Sequence, residues 1–237
     1  MCFGEEKYFR GAENILKHLT ELDLPSYLLT DKTDRFFDLV WGKKVTVLPY
    51  TRNFKSYYDK VSIVKSILKN HDIAILLDAD LFVKNPTIFE KLKNYDFKKG
   101  VSYVDTLWNH TAKFKTVGDI PMEGDEWKQY KNYVTELCPN INNVETIWEY
   151  FIVFNKEGFD SDKFFEDYEK LQIVKEFCDV KLNKDVSGAG EGVSIAASCL
   201  KNNIPIEFDK RLELLTKPTI KPITRHTPTR EIPLHLR

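Results

Sequence analysis

Five apolar residues without a polar break, Ile73-Ala74-Ile75-Leu76-Leu77, run straight into Asp78-Ala79-Asp80. An unalternating run of this length reads as a strand buried on both faces, the kind found inside a parallel sheet. Val61, Val64, Ile67 and Leu68 come just before it at helical spacing, so a helix over roughly 59–70 feeds that strand. A helix leading into a buried strand is half of a βαβ unit, whose crossover is right-handed. This constrains the first hundred residues to an α/β fold with a doubly wound, mostly parallel central sheet and flanking helices.

The remaining elements fit that frame. Ile15, Leu16, Leu19 and Leu22 mark an earlier helix, with Gly11 at its start and Pro25 beyond its end. Short apolar runs at Ser26–Thr30 and Val45–Leu48 read as strands, as do 101–104 and 150–154. The segment 106–146 has weak periodicity and is expected to be a partly helical excursion. A strong helix follows Asp160 or Ser161, with Phe164, Phe165, Tyr168, Leu171 and Val174 on its buried side. Glu191 opens a last helix through Leu200, and 204–208 reads as a final strand. Pro218, Pro222, Pro228 and Pro233 then predict an extended, nonhelical tail.

Composition mainly excludes. With 237 residues, 42% hydrophobic, 16 Phe and 11 Tyr, the chain can bury one large core, and a single domain over 1–237 is expected. A net charge of -1 provides no global field to recruit nucleic acid or an anionic membrane, so neither is an expected partner. Cys2, Cys138, Cys178 and Cys199 are scattered without zinc-ligand spacing, which favours free thiols in a reducing compartment. No run approaches the ~20 apolar residues of a membrane helix, and the start lacks a signal-peptide pattern. The expected location is cytoplasmic, or lumenal only where an N-terminal anchor has been removed.

Three places carry chemistry. Asp78 and Asp80 stand at the carboxyl end of the buried strand, where ligands bind in open α/β sheets. Two carboxylates there repel one another unless a divalent cation joins them, and such a cation seats a diphosphate. Asp160-Ser161-Asp162 has the same spacing but opens a helix, where carboxylates cap amides instead. Glu191 stands in Gly188-Ala189-Gly190-Glu191-Gly192, whose glycines let a ligand approach the backbone and suggest an exposed site, with Asp185 in reserve. Lys221, Arg225 and His226 cluster in the tail, where two cations suit a diphosphate clamp.

The stretch 57–83, YYDKVSIVKSILKNHDIAILLDADLFV, resembles the core of GT-A-fold glycosyltransferases, which bind a nucleotide sugar through a metal held by a DxD at a strand end. Phe3-Gly4, Tyr8 and Tyr27-Leu28-Leu29-Thr30-Asp31 are similar to the first two strands of the retaining blood-group-type galactosyltransferases and of glycogenin-type enzymes. The resemblance is good over 1–105 and loose beyond it. It implies a nucleotide-sugar-binding half over 1–105, an acceptor half over 106–215 and a tail over 216–237. Asp78 and Asp80 would hold Mn2+ or Mg2+. Phe3, Gly4, Tyr8, Thr30 and Asp31 would line the nucleoside pocket, and Lys60 would contact the donor or the carboxylates. Glu191 would be the catalytic carboxylate.

His226 would be a third metal ligand, although here the Lys221-Pro222 pair precedes the histidine and no glycine follows it. Lys221 would contact the diphosphate. The activity so implied is transfer of a hexose-type sugar from a UDP-sugar to a glycan or other hydroxyl acceptor, with retention. Trp108, Trp127, Trp148, Asp105 and Glu149 lie in the segment expected to recognise that acceptor. Two alternatives stand beside it. One is a haloacid-dehalogenase-type phosphatase using the DxD, although Leu81-Phe82 replaces that family's Gly-Thr continuation. The other is a catalytically inactive GT-A domain that only binds nucleotide or glycan.

Overall fold

The computed structural model describes residues 2, 4, 6–50, 60–79, 81–104, 116–119, 125–144, 147, 150–157, 159–182 and 191–222, the side chains of 126, 127, 175–182, 221 and 222 excepted. The chain forms two compact units that interleave in sequence. Unit 1 takes Met1–Thr51, Leu77–Asp96 and Lys210–Arg237, and unit 2 takes Arg52–Leu76 and Phe97–Asp209. The class is mixed α/β.

Unit 1 begins with helix α1 (Glu6–Glu21), which buries Phe9, Ala12, Ile15 and Leu16 along one stripe. The helix stops where Asp23 turns left-handed, φ 54°, and Leu24 N–H reaches back to Leu19 O at 3.1 Å. That closure satisfies a terminal carbonyl, and Pro25 forbids continuation. Strand β1 (Ser26–Thr30) pairs in parallel with β2 (Val45–Pro49) across the short helix α2 (Phe37–Val40). Cys2 adds a parallel bridge to Thr30 on the other side of β1. Strand β4 (Leu81–Val83) pairs antiparallel with β8 (Ile220–Pro222), and helices α4 (Thr87–Lys93) and α8 (Lys210–Thr216) complete the unit. One core cluster joins Cys2, Phe9, Ala12, Leu16, Leu28, Phe36 and Ala79.

Arg35 ties α1 to the loop after β1. Its Nη1 and Nη2 each donate to Glu6 at 2.7 Å, and its Nε donates to Glu13 at 2.6 Å. The Arg35 hydrogen bonds hold the Glu6 carboxyl down from 4.5 to about 2. A carboxyl depressed on folding stabilises above its unfolded value, and that contribution is lost as pH falls from about 4.5 toward 2. Because the Glu6 side chain is 53% exposed, solvent screening limits the effect to about 1 kcal/mol or less. The difference in urea midpoint between wild type and Arg35→Met is therefore expected to narrow across that window. The Arg35 guanidinium also lies over the Phe9 ring, 4.9 Å from its centre, and an unchanged difference at pH 2 would assign the role of Arg35 to that packing alone.

Unit 2 contains helix α3 (Ser62–Leu68), strand β3 (Ile73–Leu77, its last residue counted to unit 1), β5 (Gly100–Tyr103), helix α5 (Asp125–Leu137), β6 (Phe151–Asn155), α6 (Ser161–Leu182), α7 (Glu191–Lys201) and β7 (Ile206–Phe208). Its sheet has the order β3-β6-β5-β7, with β5–β6 antiparallel and β5–β7 parallel. The described sheets are thus mixed, where the sequence pattern predicts mostly parallel pairing. The physical reason lies between β5 and β6. A long excursion there is free to return the chain in either direction, so a short βαβ crossover no longer dictates parallel pairing.

Burial differs from expectation in the same way. Strands β5 and β6 are buried at every position, whereas β3 alternates and leaves Ile73 38% exposed. Among the described residues β3 ends this sheet, whereas β5 and β6 lie inside it. The expected cap of α6 is present, since Asp160 Oδ1 accepts the N–H groups of Asp162 and Lys163 at 3.0 and 3.2 Å. On this helix Phe164 meets Phe154 of β6 and its neighbour Phe165 edge-on, and stacks with Tyr168. Cys2, Cys138 and Cys199 are buried free thiols. No described helix is long and apolar enough to cross a membrane.

Candidate functional site

Asp78 and Ala79 sit in unit 1, directly after β3. Asp78 O accepts Leu81 N–H at 3.3 Å, closing a tight turn. Ala79 is 5% exposed and belongs to the same core cluster as Cys2 and Leu28, while Asp78 is half-buried. A buried small residue between two polar ones roots the turn by its centre. Asp80 lies outside the described residues.

Helix α1 presses directly on this turn. A Cβ on Gly11 would stand 1.9 Å from Ala79 O and 3.2 Å from Leu81 O, so only glycine fits there. Gly11 is therefore an interior residue of α1 at a close backbone approach. The sequence pattern places it at the helix start instead. One turn further on, Asn14 Oδ1 accepts Val83 N–H at 2.9 Å, and Asn14 Nδ2 faces His18 Nε2 at 3.5 Å.

The nucleoside-pocket candidates surround β1. Thr30 is fully buried, and its hydroxyl meets Cys2 Sγ at 3.5 Å and accepts Lys32 N–H at 3.2 Å, so it fixes the strand end from within. Asp31 is exposed immediately after it, and Gly4 is exposed with φ +78°. Tyr8 is partly buried against the core, with Lys7 Nζ 4.7 Å from its ring centre. Lys221 stands in β8 opposite Phe82 of β4, so the tail returns beside the strand that leaves the aspartate turn. Phe3 and His226, with Asp185 and Arg225, lie outside the described residues, as do Asp105, Trp108, Trp148 and Glu149.

The second constellation belongs to unit 2. Lys60 Nζ and Glu191 Oε2 form an ion pair at 3.6 Å with side chains only 9% and 4% exposed. Lys60 is thus no solvated helix lysine. Glu191 opens α7 as expected, where the helix dipole favours a carboxylate, but it is buried, where the flanking glycines suggest an exposed site. Gly192 explains the difference. A Cβ there would meet Ile147 O at 2.2 Å, so this glycine serves helix packing against backbone.

Asp78 offers carboxylate oxygens, the ligand type of Mg2+ and Mn2+, and the missing Cβ of Gly11 lets α1 pack against the carbonyl of the next residue, Ala79. Among the described residues no three His, Cys, Asp or Glu side chains cluster around a common point, and the further ligands expected from sequence, Asp80 and His226, lie outside them. Sequence reasoning missed Asn14. Its signal is a polar residue beside Ile15 on an otherwise apolar helix stripe, a pattern that demands a buried partner.

No protein-family model matches the chain. No curated protein matches it either. Among solved structures it is similar to mouse xyloside xylosyltransferase 1 in its apo form, at 9% identity and a TM-score of 0.39, covering 84% of this chain and 80% of that one. A score this low carries no argument about fold or activity.

Proposed function

We propose that this chain is a metal-dependent glycosyltransferase of GT-A type that takes a UDP-sugar donor and a hydroxyl acceptor, with retention at the transferred carbon. One observation carries the reading. Asp78 follows an apolar strand on a closed turn whose central Ala79 is fixed in the core, so the carboxylate is presented at a strand end by rigid backbone. The resemblance of 57–83 to GT-A cores supplies the chemistry such a turn would serve.

When bound, Mn2+ or Mg2+ supplies Lewis-acid charge to the departing nucleoside diphosphate. Asp78 and Asp80 would hold it, with His226 as a third ligand and Lys221 as a counter-charge to the diphosphate. Thr30 fixes the end of β1, which leaves Asp31, Gly4, Phe3 and Tyr8 to meet the nucleoside. Glu191 is proposed separately as the catalytic carboxylate, with Lys60 as the cation that orients it. The two charges offset each other's burial within unit 2.

Thermal unfolding of the full chain with nucleoside diphosphates and Mn2+ tests the donor site. A specific ligand at a hundred times its Kd stabilises by about 2.7 kcal/mol. Uridine diphosphate with Mn2+ is expected to raise the unfolding temperature of the wild type but not of Asp78→Asn. A uniform absence of shift across nucleotides would contradict the reading.

A further inference from the structure

Asn14 and His18 stand one turn apart on α1 and share one face of it. Asn14 is buried, and its Oδ1 takes the N–H of Val83 at 2.9 Å. That bond fixes the orientation of the amide, so Nδ2 is the atom that faces His18 Nε2 at 3.5 Å and donates to it. Nε2 is then the unprotonated ring nitrogen. The ring proton sits on Nδ1, where the Glu21 carboxylate stands 3.6 Å away. One directed relay of polar groups therefore runs from Val83 through Asn14 and His18 to Glu21. We infer that His18 is a proton-operated latch, whose protonation turns the Asn14 amide off Val83 and loosens β4 from α1.

The physical case lies in the supply of donors. A neutral imidazole has one donor and one acceptor, and the relay uses both in one direction. A second proton makes Nε2 a donor, which then meets the Asn14 amide donor to donor. Rotating the amide offers Oδ1 to the imidazolium, but it sets Nδ2 against the N–H of Val83 instead. Val83 is buried, so its N–H depends on Asn14. β8 offers no substitute. The next N–H, that of Lys84, goes to Thr219 O at 2.8 Å, and successive N–H groups of a strand point to opposite sides, so that of Val83 points away from β8. Glu21 works the other way, because its carboxylate favours the charged ring. Helix α1 packs against β4, α2 and β1. β4 carries no titratable side chain, β1 only Tyr27, and α2 only the exposed Asp38. Lys17 beside His18 and Lys84 after β4 are exposed, and Arg35 engages α1 nearer its start, at Glu6 and Glu13. Histidine is the side chain whose charge changes between pH 5 and 8. The latch needs no bound ligand, so it stands or falls independently of the proposed sugar transfer.

Nuclear magnetic resonance of the full chain reads both ends of the relay. The His18 ring shifts follow its protonation, and hydrogen exchange gives the protection factor of the Val83 amide, corrected for the intrinsic pH dependence of exchange. As His18 protonates, Val83 protection is expected to fall about tenfold, the worth of one hydrogen bond, while that of Lys84 stays constant. His18→Gln keeps an acceptor for Asn14 without a titrating ring, and its Val83 protection is expected not to follow pH. Constant Val83 protection across the His18 titration would overturn the inference, as would a ring that stays neutral until the protein unfolds. A parallel fall at Lys84 would overturn it too, because general loosening in acid would then explain both. So would an undiminished fall in His18→Gln, since another group would then be titrating. Should His18→Gln not fold, Glu21→Gln serves instead. It is expected to move the ring transition and the Val83 transition to lower pH together, and a Val83 transition that stays in place would overturn the latch.

Discussion

Lys60→Met is expected to destabilise the protein by about 3–5 kcal/mol, because it removes the Lys60 ammonium from beside the buried Glu191 carboxylate. The pair sits at 3.6 Å with side chains 9% and 4% exposed, so water cannot replace the missing partner. Glu191→Gln is milder, since it removes one charge but keeps a polar group at the start of α7. The double variant Lys60→Met/Glu191→Leu is expected to recover most of the loss, since replacing a whole buried pair by apolar groups is often neutral. Urea unfolding of the wild type, Lys60→Met, Glu191→Leu and this double variant gives the coupling directly. Additive single losses would mean that the two charges do not act as a pair. The pair also bears on catalysis: a stable Glu191→Gln protein that still turns over a donor would remove Glu191 from the chemistry.

Gly192→Ala is the second large effect. Its Cβ would stand 2.2 Å from Ile147 O, and the obstacle is backbone, so neither side can yield by rotating a side chain. Overpacking of this kind costs about 1–3 kcal/mol. The loss should appear as a lower urea midpoint at unchanged slope. It should be present without any ligand, because the glycine serves the seat of α7. A Gly192→Ala protein of wild-type stability that loses only ligand binding would return this glycine to the ligand-approach role suggested by its neighbours.

Local pattern made several elements legible. The strand Ile73–Leu77, the cap at Asp160 and the start of α7 at Glu191 all lie where apolar runs and capping chemistry put them. What the pattern could not hold were relations between distant segments. Gly11 looks like a helix boundary until Ala79 is placed against it, and Gly192 looks like a ligand approach until Ile147 is. Burial of the Lys60–Glu191 pair depends on residues more than a hundred positions apart. The direction of β6 against β5 depends on a long excursion with weak periodicity. The pairing of β8 with β4 was hidden because Pro218 and Pro222 mark an extended tail without saying which strand receives it. At the candidate site the apolar run Ile73–Leu77 marks a strand ending just before Asp78, but Asn14 became meaningful only once Val83 stood opposite it.

The most direct test of a sugar-transfer activity is release of free nucleoside diphosphate from a UDP-sugar in the presence of Mn2+ and a panel of hydroxyl acceptors. The account predicts release that requires the metal, is lost on chelation and is abolished in Asp78→Asn at unchanged fold. It would be contradicted by metal-dependent phosphate loss from a simple ester with no diphosphate released from any UDP-sugar, or by donor binding with no release across the whole panel.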